Sequence, residues 1–249
     1  MALDLADKSG NSNTLTNVNT ATEQTTNPPF TPDTSMAVLV AASSQYFTAA
    51  DSASLSITGN ETAQCWVYFA STPISGNFMA FMGKNNTLAS ARGFIFGLNN
   101  NVGTLQLQIR VSADGTTGTS ASVSWTPSLS TWYHVAVVYT AAGGTADFYV
   151  NGVAQGTQQS GLATSQLDST SLFYVGAAGL DSSGALFSQF DGVLDEVRVY
   201  NIARTSGNIA GDYNGEISSF TNVAAYWPFN AIPSPSATKT GGAFLLNFV

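Results

Sequence analysis

Retaining hydrolysis of a glycosidic bond needs two carboxyl groups about 5–5.5 Å apart. The chain has four glutamates, Glu23, Glu61, Glu196 and Glu216, and no two are close in sequence. Glu196 follows Asp195, so on a strand the two side chains point to opposite faces. Nucleophilic catalysis through a hydroxyl or thiol needs a general base, and His134 is the only histidine. It lies inside the run Trp132 to Tyr139, where a packed or hydrogen-bonded structural role is expected. Cys65, the only cysteine, precedes Trp66 in an apolar segment and reads as a small core residue. It excludes an intramolecular disulfide and a cysteine-based zinc site. These residues predict a protein that is not an enzyme, with no catalytic residue assigned.

The elements that carry these residues are strands. Leu105-Gln106-Leu107-Gln108-Ile109-Arg110-Val111 alternates apolar and polar without a break, the pattern of a half-buried strand. Asp147-Phe148-Tyr149-Val150 meets Asn151-Gly152, a hairpin signal because both central residues of a type I′ turn need φ > 0. Phe94–Phe96, Val135–Tyr139, Leu172–Val175 and Val193–Tyr200 are further strands, and Asp114-Gly115 closes the Leu105–Val111 unit. A helical period occurs weakly at one place, Ala203–Tyr213. Short strands with turn residues between them predict an all-β, two-sheet sandwich.

Hydrophobic residues make up 44% of the 249 positions, enough for a large core. Charged residues are only 9%, against about 25% in an average domain. Ser, Thr, Asn, Gln and Gly carry the polar load, as on an exposed surface protein. The net charge is −8 and the seven Lys and Arg are scattered, which predicts no nucleic-acid partner. The same balance argues against attachment to anionic lipid, and no apolar run of the length of a membrane helix occurs, so no membrane insertion is expected. Met1–Leu5 shows neither a basic n-region nor an apolar h-region, so no Sec signal is visible.

The ends differ from the middle. Residues 1–35 are rich in Asn, Thr and Ser, with Pro28, Pro29 and Pro32, and predict an extended N-terminal arm with little core of its own. Residues 36–230 form the predicted sandwich. Residues 231–249 read as a linker with Pro233, Pro235 and Gly241-Gly242, ending in the apolar tip Ala243–Val249. Such a tip is expected to be buried in its own domain or in a neighbour.

Three segments together resemble a known family. Trp132–Tyr139 followed by Phe148-Tyr149-Val150-Asn151-Gly152-Val153 is similar to the paired strands of laminin G-like modules. Phe190-Asp191-Gly192-Val193-Leu194-Asp195-Glu196-Val197-Arg198-Val199-Tyr200-Asn201 resembles their closing strand, and Ala203-Arg204-Thr205 with Ile209 the short helix after it. Tyr46, Asp51, Leu55 and Cys65-Trp66-Val67 resemble their early strands. The chain thus resembles a concanavalin A-like jelly roll of the laminin G type over about residues 36–230. One departure stands out. The family's Asp-x-Ser-Gly-Asn-x-Asn segment opens the chain as Asp7–Asn13, while the aromatic strand that usually precedes it, Tyr226-Trp227-Pro228-Phe229-Asn230, lies near the end. That strand is expected to fold back into its own domain, with exchange into a neighbour as the alternative.

The resemblance implies some chemistry and excludes some. β-Glucanases of this fold carry Glu-x-Asp-x-x-Glu or a similar spacing on one strand, and no such strand exists here. Related sandwiches often hold a structural calcium ion with the aspartate of the closing strand and an acidic or amide residue of the aromatic strand. These match Asp195 and Asn230, and Asp7 could contribute from the opening segment, so a calcium clamp on the chain ends is an expectation. Polar segments Gly83–Asn86, Asn99–Asn101 and Asp181–Gly184 could contact sugar, although Asn and Ser are also ordinary turn formers, and no sugar-binding residue is assigned.

Modules of this kind occur in phage decoration proteins, head fibres and tail proteins. The resemblance therefore implies a non-catalytic structural or adhesion module on the virion surface, with other virion subunits or further copies of itself as partners through the termini. Glycan contact is compatible with that expectation. The alternative is an extracellular carbohydrate-binding or adhesion module of a cell-surface protein.

Overall fold

In a computed structural model, residues 3–29, 35–215 and 219–230 are described. The strands in chain order begin with β1 (Thr16–Val18), β2 (Thr22–Gln24), β3 (Met36–Leu39), β4 (Tyr46–Ala49), β5 (Glu61–Phe69) and β6 (Phe78–Asn86). There follow β7 (Ala91–Asn101), β8 (Thr104–Ser112), β9 (Gly118–Ser124), β10 (Trp132–Thr140), β11 (Thr145–Val150) and β12 (Val153–Ala154). The last are β13 (Gln159–Ser160), β14 (Phe173–Val175), β15 (Gly179–Leu180), β16 (Leu186–Phe187), β17 (Gly192–Tyr200) and β18 (Val223–Trp227), with helix α1 (Ser206–Tyr213) between the final two.

These strands form two sheets of nine, packed face to face as a jelly-roll sandwich, so the all-β expectation is met. One sheet runs β1-β4-β14-β6-β7-β8-β9, with the β15–β16 hairpin beside β6. The other runs β12-β11-β10-β5-β17-β3-β2, with β13 on β11 and β18 on β17. Alternation decides which face each residue takes. On β8, Leu107, Ile109 and Val111 are buried between the sheets, while Arg110 faces out. The core is rich in edge-to-face aromatic contacts: Phe69 meets Phe81 at 5.9 Å and Phe190 at 5.6 Å, and Phe81 meets Phe96 at 5.3 Å.

Local signals hold where they are strongest. Asn151 (φ 51°) and Gly152 (φ 76°) are both left-handed and join β11 to β12, as the turn chemistry requires. The helix starts later than its apolar pattern, because Thr205 caps it. Thr205 Oγ1 accepts the Asn208 N–H at 3.2 Å, and the Asn208 side chain accepts the Thr205 N–H at 3.2 Å.

The opening segment departs from the expected arm. β1 pairs with β4 and β2 with β3, one in each sheet, and Leu15 and Ala21 are buried in the core. The described part of residues 1–35 is thus built into the sandwich. Its sequence hides this, because short polar edge strands carry only one or two inward apolar residues.

The aromatic strand closes its own sandwich. β18 pairs antiparallel with β17, and Trp227 and Phe229 are fully buried. The opening segment lies along its other side: the Lys8 N–H donates to the Tyr226 carbonyl at 2.8 Å and the Asp4 N–H to the Phe229 carbonyl at 3.2 Å. Two segments from opposite ends of the chain therefore adjoin. The expected linker and apolar tip, 231–249, lie outside the described residues.

Candidate functional site

The outer face of the first sheet carries two open grooves. The register sets Ile95 opposite Arg110 and Gly97 opposite Gln108 between β7 and β8. It sets Arg110 opposite Ser120 and Gln108 opposite Ser122 between β8 and β9. Ala80 of β6 stands opposite Gly97. The floor is therefore made of small residues, flanked by an amide row and one arginine. Two phenylalanines rise from it. Phe78 and Phe187 pack on the outer cluster of Ala80, Ile95 and Ala178 and stay partly exposed.

Gly97 is needed for this arrangement. A Cβ there would stand 2.2 Å from the Met79 carbonyl oxygen and 2.7 Å from the Phe78 ring. Its absence lets that ring lie across β7 toward Arg110, whose guanidinium sits 5.1 Å from the ring centre. Arg110 Nε donates to Gln108 Oε1 at 2.9 Å, which fixes the fork. Partial burial lowers the Arg110 pKa from its ordinary value.

Arg110 and Phe187 line two adjoining grooves. One, about 340 Å³, runs over β6–β9 past Arg92, Arg110, Ser112 and Ser120. The other, about 610 Å³, continues past Phe78, Leu186, Gln189 and Asp191 to the loop at Ile74. Volumes in this range suit a small ligand. The two linings contain a single carboxylate, Asp191, which accepts from Ser71 Oγ at 2.6 Å and the Ala41 N–H at 3.4 Å.

The residues singled out from sequence lie elsewhere. His134 is buried on β10 between Trp66 (ring centres 5.7 Å apart) and Tyr213 (6.1 Å). Burial, assisted by the charge of Arg198, pushes its pKa down to about 3. It is neutral and enclosed, as its position in an apolar run predicts. Cys65 is fully buried in the core, and burial, with the nearby Asp195 charge, raises its thiol pKa. Arg198 is buried on β17 beside Glu196. It is hydrogen-bonded to Glu196 and lies 3.9 Å from Asp212, which also pairs with Arg204 at 2.7 Å. This ionic cluster ties α1 to β17.

Calcium needs six to eight oxygen ligands that are free to face the ion. Asp7 is already engaged by the chain itself. Its two oxygens accept five donors: Ser9 N–H and Oγ–H, Asn13 N–H and Nδ2–H, and Tyr226 N–H. Asp195 Oδ1 accepts the Glu196 N–H at 2.8 Å, and Asn230 Oδ1 accepts the Ser35 N–H at 3.0 Å. Among the described residues no three His, Cys, Asp or Glu side chains group as a metal site.

The polar segments considered for sugar contact are mostly structural. Lys84 and Asn85 are buried in β6, where Lys84 Nζ donates to Asp51 at 2.6 Å and to the Leu55 carbonyl at 3.0 Å. Asn100 donates to the Pro73 carbonyl at 2.8 Å, and Asp181 accepts the N–H groups of Ser183 and Ala185 at 2.7 and 3.0 Å. These are turn and strand contacts. The outward row Gln106-Gln108-Arg110 was legible in the alternation of β8. Nothing in that pattern said that Phe78 and Phe187 flank it.

The profile of the concanavalin A-like lectin/glucanases superfamily, laminin G type, matches residues 41–210. The chain belongs to that superfamily. No curated protein matches it. Among solved structures it is similar to the enzymatically active domain of tailspike protein 2 of bacteriophage CBA120. That match has a TM-score of 0.63 and 13% identity, covering 93% of this chain and 34% of that one. It is also similar to domain 4 of an extracellular arabinanase from Geobacillus stearothermophilus in complex with arabinotriose, with a TM-score of 0.56, 19% identity and 84% and 92% coverage. A third is a putative carbohydrate binding protein from Bacteroides ovatus, with a TM-score of 0.54, 21% identity and 76% and 49% coverage. Each likeness is one of fold. The chain spans about half the length of the Bacteroides protein and a third of the tailspike domain.

Proposed function

We propose that this protein is a non-catalytic glycan-binding module whose ligand lies across the outer face of β6–β9. One observation carries the reading: Arg110 stands beside the Phe78 ring above a floor of small residues, at the junction of two open grooves. A sugar offers hydroxyls to planar donors and acceptors and a C–H face to an aromatic ring. Gln106, Gln108, Arg110 and the Phe78 and Phe187 rings supply both. Retaining hydrolysis needs two carboxyl groups at the substrate, and one carboxylate lines these grooves. The arabinotriose complex and the carbohydrate-binding relative support the reading by fold.

The test is a glycan array probed with the parent chain and with Arg110→Ala and Phe78→Ala. Binding by the parent and loss of roughly tenfold or more in either variant, at unchanged melting temperature, is expected. An array silent for the parent would remove the proposal.

We further propose that the module works on a virion surface, as a decoration, head-fibre or tail component. The tailspike likeness, which extends over 93% of this chain, supports this. An extracellular adhesion module is the other setting. Association with virion subunits or with copies of itself through the termini belongs to the same proposal. Light scattering on the full chain and on a form lacking residues 240–249 tests it: an oligomer that the truncation leaves unchanged rules out assembly through that tip.

A further inference from the structure

Of the seven Lys and Arg residues, six are described. Four of those have an acidic partner. Lys8 meets Asp4 at 2.6 Å, Lys84 meets Asp51 at 2.6 Å, Arg204 meets Asp212 at 2.7 Å, and Arg198 meets Glu196. The other two, Arg92 and Arg110, have no acidic partner among the described residues, and both line the same 340 Å³ groove. No Asp or Glu lines it.

The two guanidinium groups are oriented but not used up. Arg92 donates through Nε to Thr87 Oγ1 at 3.3 Å and through one terminal nitrogen to the Thr116 carbonyl. Its other terminal nitrogen bonds to no described residue. Arg110 is fixed through Nε to Gln108, and both its terminal nitrogens are open among the described residues. Arg110 pairs in register with Ile95 of the adjacent strand, and the irregularity of that strand at Gly93 lets Arg92 line the same groove as Arg110.

We infer that this groove takes an acidic glycan, one whose sugars carry carboxylates, gripped by Arg92 and Arg110. The inference rests on the glycan-binding proposal and narrows its ligand class. An open guanidinium fork matches a planar carboxylate through two parallel hydrogen bonds. Partial desolvation of Arg110 strengthens what an anion gains there. The net charge of −8 does not prevent it, because salt screens charges beyond about 8 Å at physiological ionic strength.

Calorimetry on the full chain with matched probes tests this: trigalacturonate against its carboxyl-reduced form, and sialyllactose against lactose. At least one acidic probe is expected to bind about tenfold or more tighter than its neutral partner. The gap should shrink with added salt and close in the Arg92→Gln/Arg110→Gln variant. Equal binding of acidic and neutral probes overturns the inference and leaves the glycan proposal standing. An acid preference that survives the double substitution also overturns it, since the grip lies elsewhere. Binding of none of the four probes overturns the inference, while the glycan array decides the glycan proposal by itself, and a thermal melt confirms that the variant is folded.

Discussion

Asp7 Oδ1 accepts the backbone N–H of Tyr226 at 3.0 Å, joining residues 219 positions apart. The same carboxylate gathers Ser9 and Asn13, and Asn13 in turn donates to the Ala224 carbonyl at 2.9 Å while its own carbonyl accepts Trp227 Nε1–H at 2.7 Å. The acid is thus the knot between the opening segment and β18, the last described strand. Asp7→Ala is expected to destabilise the fold by about 3 kcal/mol, because several N–H donors lose a charged acceptor. Asp7→Asn should recover part of it. Urea midpoints measure both, and an alanine variant as stable as the parent would mean that the opening segment is held by other contacts.

Stability should form a plateau in pH with a shoulder on each side. Burial raises the Glu61 pKa from 4.5 to about 8, against the opposing Gln166 hydrogen bond and Lys84 charge. The folded state then holds a proton that the unfolded state has lost, so this contribution falls as pH rises from 4.5 to 8. His134, lowered from 6.5 to about 3, works in the other direction: its contribution falls as pH drops through that window. The two offset each other between 4.5 and 6.5. Above that, Glu61 alone acts, at up to ~1.4 kcal/mol per pH unit. Glu61→Gln should abolish the alkaline decline in denaturant midpoints, and an unchanged decline would refute the assignment.

Arg198 is buried with Glu196 and Asp212, and its guanidinium also lies 5.1 Å from the Tyr226 ring centre. Arg198→Met would leave buried carboxylates short of a cation. A loss of roughly 3–5 kcal/mol is expected, larger than for an exposed pair. Thermal and urea unfolding measure it. A near-neutral effect would show that Arg204 is enough to compensate Asp212.

A calcium ion between Asp195 and Asn230 remains a proposal. The Asp195 and Asn230 oxygens already accept backbone N–H groups, and Asp7 is fully committed. An ion held there would have to displace some of these hydrogen bonds, and a melting temperature unchanged by chelator would remove the proposal. A fall on chelation, restored by added calcium, would place an ion there.

Much of the fold was readable because the signals are local. The unbroken alternation of Leu105–Val111 is a strand with one buried face whatever surrounds it, and Asn151-Gly152 can satisfy a turn that few other pairs can. Lys84 was misread for the same reason. A lysine among glycine and asparagines has the composition of a loop, and only Asp51 and the Leu55 carbonyl, brought near by folding, make its burial possible.

What the sequence by itself determined is the longer strands and the all-β sandwich class, with the jelly-roll type following from the family resemblance, since period and turn chemistry act over a few positions. Tertiary structure alone decided the rest. Register across three strands set Arg110 beside Ile95 and Ser120, a hairpin some seventy residues further on brought Phe187 to the same face, and acidic partners took up every described cation except Arg92 and Arg110. Such a site is a property of distances between strands, and a linear chain carries no measure of those until its sheets have closed.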